Sequence, residues 1–156
     1  ESRSNGFNER KRIGYRLNPN DNQELKLVDK VEKSSAKGST GRDLVKLTSW
    51  ALSKRLFAKI ISTQEIRIKS QDGKIIHNLK NTNRLIRPRF PAERYIPPKG
   101  DKILGGKTGF TDDAGHCLVT VAEKNNRKVV FVILNSEVRF PEMKKLIKWT
   151  AEAYNW

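Results

Sequence analysis

The residues most able to do chemistry gather between 103 and 118, in the run Ile-Leu-Gly-Gly-Lys-Thr-Gly-Phe-Thr-Asp-Asp-Ala-Gly-His-Cys-Leu. Lys107-Thr108-Gly109 sets an ammonium, a hydroxyl and a residue without a side chain in succession. As a tripeptide it is unremarkable in a basic protein. Its weight comes from its neighbours at fixed distances: Thr111, Ala114-Gly115 and an apolar strand. His116 and Cys117 invite a thiol–imidazole reading, but neighbours on a strand point to opposite faces and cannot readily pair. Cys117 therefore reads as a small core residue and His116 as a structural neighbour of the motif. His77 has no partner pattern and reads as surface. Asp112 and Asp113 are two carboxylates without further oxygen ligands at loop spacing, short of a metal site; they are expected to order the turn after the motif. Nothing in these patterns calls for a metal or a cofactor.

A second cluster is basic. Lys80, Arg84, Arg87, Arg89, Arg94, Lys99 and Lys102 are interleaved with Phe90 and Tyr95, a pattern that fits a solvated face, attraction to an acidic wall polymer, or a nucleic-acid-binding loop. The whole chain carries 32 Lys and Arg against 17 Asp and Glu, a net charge of +15. Residues 1–60 hold 14 basic and 7 acidic side chains, 61–110 hold 11 and 4, and 111–156 hold 7 and 6, so the excess lies in the first two thirds. Such a surface attracts polyanions, whether nucleic acid, anionic lipid heads or a cell-wall polymer, without choosing among them.

The elements that must position these residues follow from periodicity. Residues 1–39 read as a polar, poorly periodic leader, with a short helix over Asn8–Ile13 ended by Gly14 and a turn at Asn18-Pro19-Asn20-Asp21-Asn22. Thr40 and Asp43 form a capping box at a helix start, with Leu44, Leu47, Thr48, Ala51 and Leu52 as one buried stripe. A second short helix over 55–60 carries Leu56, Phe57 and Ile60. Ile66 and Ile68 alternate with charged residues, a half-buried strand, and Asp72-Gly73 turns the chain into a hairpin over 64–79. Pro88, Pro91, Pro97 and Pro98 deny residues 80–102 a long helix or a central strand. Residues 103–134 read as the motif strand and the sheet around it. The run Val129–Leu134 is too uniformly apolar to face water and predicts an inner strand covered on both faces. Pro141 opens a closing helix over 141–154 with the stripe Met143, Leu146, Ile147, Thr150, Ala151 and Tyr154. The fold class is α+β, an antiparallel sheet with helical cover. With 156 residues the chain has room for one domain. One cysteine excludes an internal disulfide, and no apolar run reaches the roughly 20 residues a bilayer crossing needs.

Lys107-Thr108-Gly109 with its flanks strongly resembles the third active-site motif of the serine D-alanyl-D-alanine carboxypeptidases, low-molecular-weight penicillin-binding proteins of the serine β-lactamase fold. The block Gly38-Ser39-Thr40-Gly41-Arg42-Asp43-Leu44 is similar to the helix start that precedes that motif. Asn81-Thr82-Asn83-Arg84-Leu85-Ile86 is similar to the family's asparagine-leucine stretch, and Met143–Trp149 to the last helix of its catalytic domain. Phe7-Asn8-Glu9, Gly14 and Asn18-Pro19 look like the region just beyond the family's second motif. The likeness covers nearly the whole chain but only the C-terminal half of the catalytic domain. It implies a β-lactamase/transpeptidase-like domain in a bacterial cell envelope, acting on a peptidoglycan pentapeptide and captured by β-lactams. It further implies that Lys107 supplies charge to a substrate carboxylate and to the proton network, that Thr108 donates to the carboxylate, and that Gly109 lets the backbone approach. By the same resemblance the Phe110 N–H belongs to the oxyanion hole, and Thr111 supports the turn and lies at the substrate.

Two departures stand out. The family's nucleophile sits in a Ser-x-x-Lys motif, followed by Ser-x-Asn. No Ser-x-Asn occurs in this chain, and the one Ser-x-x-Lys, Ser34 to Lys37, lies in a polar linker without helical spacing. A missing half or a second chain is therefore expected to carry the nucleophile and to leave one sheet face uncovered here; the competing reading is a non-catalytic scaffold that binds a polyanion. The second departure is Thr82, which stands where several relatives place an arginine that grips the terminal carboxylate. Arg84 or Arg87 would have to compensate.

Overall fold

Val129-Val130-Phe131-Val132-Ile133-Leu134 dictates the centre of the molecule, because a strand this apolar is stable only with both faces buried. The computed structural model describes residues 12–17, 39–98 and 100–154, with side chains described from Ser39 onward. In chain order the elements are β1 (Arg12–Leu17), α1 (Gly41–Leu52), α2 (Arg55–Ser62), β2 (Glu65–Lys69), β3 (Ile76–Lys80), β4 (Asp101–Thr111), β5 (Gly115–Lys124), β6 (Arg127–Ser136) and α3 (Arg139–Ala153). The main sheet runs β1-β6-β5-β4, antiparallel throughout, and β2 and β3 form a separate two-stranded sheet. The α+β class follows from these elements.

Alternation on β6 sorts the core into two layers. Val129, Phe131 and Ile133 pack with Leu118, Met143, Leu146 and Ile147, which places α3 over one face. Val130 and Val132 pack with Val45, Ile61 and Val121, which places α1 and α2 over the other. Each fully buried side chain of this kind contributes roughly 1.5–3 kcal/mol. The expectation of an uncovered sheet face is thus corrected, since helices from this chain lie on both faces. The hairpin joining β5 to β6 turns on Asn125 and Asn126, both at positive φ (51° and 61°), which a two-residue turn matching the strand twist requires and asparagine tolerates.

Several other expectations need correction. Arg12 and Ile13 are not helical but lie in β1, which pairs with the edge of β6 through Arg12↔Ile133 to Leu17↔Lys128. A sheet edge offers six residues of backbone pairing that a lone helical turn cannot match. The remainder of the expected leader helix, the turn at 18–22, and Ser34 with Lys37 lie outside the described residues. On α1 the buried face is Gly41, Val45, Thr48 and Ala51, while Leu47 is 58% exposed. Likewise Ile61 is buried on α2, with Leu56 and Ile60 exposed. Both helices thus carry apolar side chains on their outer surface. The hairpin β2–β3 was expected to be half-buried, yet every residue on both strands is exposed. It projects from the body, with Asn81 closing its base by donating from its backbone N–H to the Gln64 carbonyl at 2.8 Å.

The start of α1 follows the capping-box expectation. The Asp43 N–H donates to Thr40 Oγ1 (3.2 Å) and the Thr40 N–H donates to Asp43 Oδ2 (3.0 Å). The Thr40 N–H and, next, the Thr40 hydroxyl, both donating to Oδ2, hold the Asp43 carboxyl below its ordinary range. Pro141 lies in the first turn of α3 as expected, but Tyr154 is the residue that follows the helix and is exposed.

Candidate functional site

β4 pairs with β5 from Asp101↔Lys124 to Thr111↔Gly115 and ends the sheet, so its outer edge carries no strand among the described residues. The register shifts between Ile103 and Gly105, and this irregularity sits just before the glycine pair. At Gly105 and Gly106 neighbouring backbone approaches β4 too closely for a side chain. A Cβ on Gly106 would stand 2.2 Å from the Val119 carbonyl oxygen and 2.8 Å from Asn83 Nδ2, and one on Gly105 would stand 2.6 Å from the Ile61 carbonyl oxygen. Gly109 differs: its nearest neighbour would be Cys117 Cβ at 3.7 Å, ordinary contact.

Lys107 is exposed, Thr108 is buried, and Gly109 and Phe110 are exposed. Lys107 pairs in register with Val119 and Thr108 with Leu118, so the two side chains leave opposite faces. The Lys107 ammonium curls back to donate to the Thr108 carbonyl. The Thr108 hydroxyl meets the Thr82 hydroxyl at 2.6 Å.

Thr82 reaches that position because two asparagines build its loop. Asn81 Nδ2 donates to the Thr63 carbonyl (2.9 Å), and Asn81 Oδ1 accepts from the Asn83 N–H (2.9 Å). Asn83, fully buried, accepts from the Leu85 N–H through Oδ1 (3.0 Å). Its backbone carbonyl accepts from Ile86 and Arg87. Asparagine suits such turns because its side chain imitates the backbone. The loop is therefore wedged between the hairpin base and the Gly106 backbone, which leaves Thr82 facing Thr108.

The other expected residues lie nearby in different states. The Phe110 ring is exposed and packs on His116, ring centroids 4.5 Å apart. Thr111 Oγ1 accepts from the Ala114 N–H (3.0 Å), which ties the turn after the motif. That bond is the turn-supporting contact expected of Thr111. Arg84 approaches Glu93 (3.7 Å) and lies over the Phe140 ring (5.6 Å). Cys117 is half-exposed rather than core, a correction that follows from its place opposite Gly109, where no side chain covers it. His77 is exposed. Among the described residues no three His, Cys, Asp or Glu side chains come together as metal ligands.

Arg139 was not anticipated. Its guanidinium donates from Nη1 to the Gly109 carbonyl at 2.7 Å and lies 3.5 Å from the Cys117 carbonyl. Partial burial lowers its pKa; Cys117 works the other way, and Arg84 adds to the lowering. Thirty residues separate Arg139 from Gly109, and no local pattern marks such a contact. At the far end of β4, Asp101 is buried beside Lys124 (3.7 Å); burial raises its carboxyl pKa and Lys124 opposes the rise. Burial also pushes the Tyr95 phenol up to about 12, with Asp101 adding to it. A cavity of about 530 Å³ opens beside this end, lined by Ser62, Gln64, Leu85, Tyr95, Ile103 and Leu104. It stops short of Lys107.

An antiparallel sheet between helical layers, with Lys-Thr-Gly on its open edge strand, is the architecture of penicillin-binding DD-peptidase domains. Solved structures bear this out. A D-alanyl-D-alanine carboxypeptidase from Mycobacterium tuberculosis H37Rv is 25% identical with a TM-score of 0.58, the match covering 75% of this chain and 41% of that one. A single-residue mutant of the Streptomyces K15 DD-transpeptidase is 27% identical with a TM-score of 0.58, covering 73% and 42%. Penicillin-binding protein D2 from Listeria monocytogenes, in its cefotaxime-bound form, is 29% identical with a TM-score of 0.51, covering 70% and 40%. A D-alanyl-D-alanine endopeptidase of Escherichia coli (strain K12) is 30% identical over 114 residues, 71% of this chain and 34% of that protein. The D-alanyl-D-alanine carboxypeptidase family model matches residues 21–138, and the chain belongs to that family. It spans about a third of the curated relative and about two fifths of the solved ones.

Proposed function

We propose that this chain is the substrate-positioning part of a serine-type D-alanyl-D-alanine peptidase that works on peptidoglycan stem peptides in the bacterial cell envelope. The nucleophile comes from outside the described residues. A serine oxygen bonds to the penultimate D-Ala carbonyl carbon, the amide C–N bond breaks, and the departing amine takes a proton. Water then hydrolyses the ester. Lys107 supplies positive charge at the open edge, Thr108 offers its hydroxyl to the substrate carboxylate, and the Phe110 N–H meets the oxyanion that grows during acyl transfer. Thr111 holds the turn that ends the strand. The basic surface around Arg87, Arg89 and Arg94 favours approach of an anionic wall polymer. Among the described helices none is long and apolar enough to cross a membrane.

Gly109 carries this reading. Its exposed position has room for a side chain, so the fold does not require glycine there, whereas a ligand lying against bare backbone does. The test is covalent labelling of the protein, together with its nucleophile-bearing part, by a fluorescent penicillin. A labelled band that competes with unlabelled penicillin is expected. A folded protein that takes no label overturns the reading.

Thr82 favours a refinement toward endopeptidase action. The hydroxyl at 82 is engaged with Thr108, Arg84 is engaged with Glu93 and Phe140, and the guanidinium of Arg139 is engaged with the Gly109 and Cys117 carbonyls, so none of the three places a free cation beside Thr108. That weakens the grip on a free terminal carboxylate and shifts preference toward D-Ala amide bonds within cross-links. Thr82→Arg is expected to raise kcat/KM for a peptide ending in D-Ala-D-Ala about tenfold, as a charge-assisted bond would, with little change on a cross-linked dimer. Equal effects on both substrates would remove the refinement.

A further inference from the structure

Arg139 is out of place by the usual rules. It is the first residue of α3, where the helix dipole disfavours a cation. It is partly buried beside Arg84, and among the described residues no carboxylate pairs with it. A residue that breaks a local rule without stabilising its own element is where function is to be sought.

Arg139 contacts two backbone carbonyls on neighbouring strands, the nearer belonging to the Gly109–Phe110 peptide unit. Gly109 and Cys117 are partners across the β4–β5 ladder. One guanidinium nitrogen lies 2.7 Å from the Gly109 carbonyl oxygen and 3.5 Å from that of Cys117. Both oxygens must then turn inward, between the strands; outward-turned carbonyls on facing residues would lie too far apart to share one nitrogen. No peptide bond among those described is cis, so the N–H of the Gly109–Phe110 unit points opposite to its carbonyl. That directs the Phe110 N–H to the open edge of β4.

We infer that Arg139 is a positioning residue for the oxyanion-binding amide: it anchors the Gly109–Phe110 peptide plane from behind and polarises it toward the Phe110 N–H. This inference rests on the peptidase reading above. An oxyanion donor works because its orientation is set before charge develops. A cation on the carbonyl end of the same amide strengthens the donor at the other end, as hydrogen bonds in a chain reinforce one another. The guanidinium is itself held, lying over the Phe140 ring at 5.2 Å, while Arg84 lies over the same ring at 5.6 Å with Glu93 close by.

The test compares parent, R139M and R139K in the protein with its nucleophile-bearing part, measuring the acylation rate constant and the prior binding constant for a penicillin separately. R139M should acylate roughly 10- to 100-fold more slowly, less than or equal to the loss on deleting an oxyanion donor outright, with the binding constant nearly unchanged. The Gly109 carbonyl carbon resonance should move upfield as its bond is lost. R139K, which keeps a donor but not the fork, should be several-fold slower than the parent. Parent-like acylation in R139M overturns the inference, as does a loss confined to binding. Should R139M fail to fold, R139K decides, and a parent rate there overturns it. An unlabelled parent overturns the peptidase reading itself, and this inference with it.

Discussion

Replacing Lys107 with alanine is expected to slow covalent labelling by a fluorescent penicillin by about 10³-fold while leaving the unfolding midpoint within the error of the parent. The loss belongs to the transition state. On the peptidase reading proposed above, Lys107 at the open edge of β4 supplies full positive charge where the substrate carboxylate docks and where a proton is handed over during acyl transfer. Loss of one preorganised electrostatic group of this kind costs on the order of 10²–10³ in rate, and loss of a participant in proton transfer about 10²–10⁴. The fold has little stake in the side chain. Lys107 is exposed, and the bond described for its ammonium returns to the Thr108 carbonyl beside it. Surface substitutions of this sort stay within about 0.5 kcal/mol. Measured acylation rates alongside urea unfolding separate the two effects. A variant labelled at the parent rate would show that Lys107 stands at the surface for charge alone. Lys107→Arg restores the charge but not a compact, transferable proton, and should recover only a small part of the rate.

Much of this site was legible because its signal is local. Lys107, Thr108 and Gly109 are consecutive, and the apolar runs of β5 and β6 announce the sheet behind them. The inner strand followed from Val129–Leu134 in the same way. What escaped the sequence depends on distant partners. Val45 and Leu47 are equally apolar and two residues apart, and which of them faces the core depends on where β6 lies. Residues 12–17 did carry a strand period, with Ile13, Tyr15 and Leu17 alternating with Arg12, Gly14 and Arg16. The polar surroundings hid it, and pairing with β6 decides its conformation. The hairpin has the alternation of a half-buried strand on Ile66 and Ile68, yet it projects from the described body. Its sequence records a burial that the described residues do not supply, as do Leu56 and Ile60. Arg139 was illegible in principle, because a guanidinium bonded to a backbone oxygen leaves no trace in the identity of the residue it serves.

The glycines of the motif strand should separate fold from function when each is replaced by alanine. Gly106→Ala puts a methyl 2.2 Å from the Val119 carbonyl oxygen and 2.8 Å from Asn83 Nδ2. Neither can retreat at low cost. Val119 belongs to the β5 ladder, and Asn83 is the fully buried residue on which the Thr82 loop is built. Overpacking of this kind typically costs about 1–3 kcal/mol. Here it also pushes a buried polar group from its seat, so a loss of about 4 kcal/mol is expected, at the upper end of single substitutions. Gly109→Ala meets Cys117 Cβ at 3.7 Å and nothing nearer, so stability should change by less than about 0.5 kcal/mol. Acylation should nevertheless fall, by about tenfold or more, because the new methyl stands on the bare backbone that a substrate would lie against. Thermal unfolding and penicillin acylation measured on both variants decide the matter. If Gly109→Ala acylated normally, the open edge of β4 would not be where substrate lies. If Gly106→Ala were as stable as the parent, the close approach of β4 to the Asn83 loop, and the placement of Thr82 that depends on it, would be wrong.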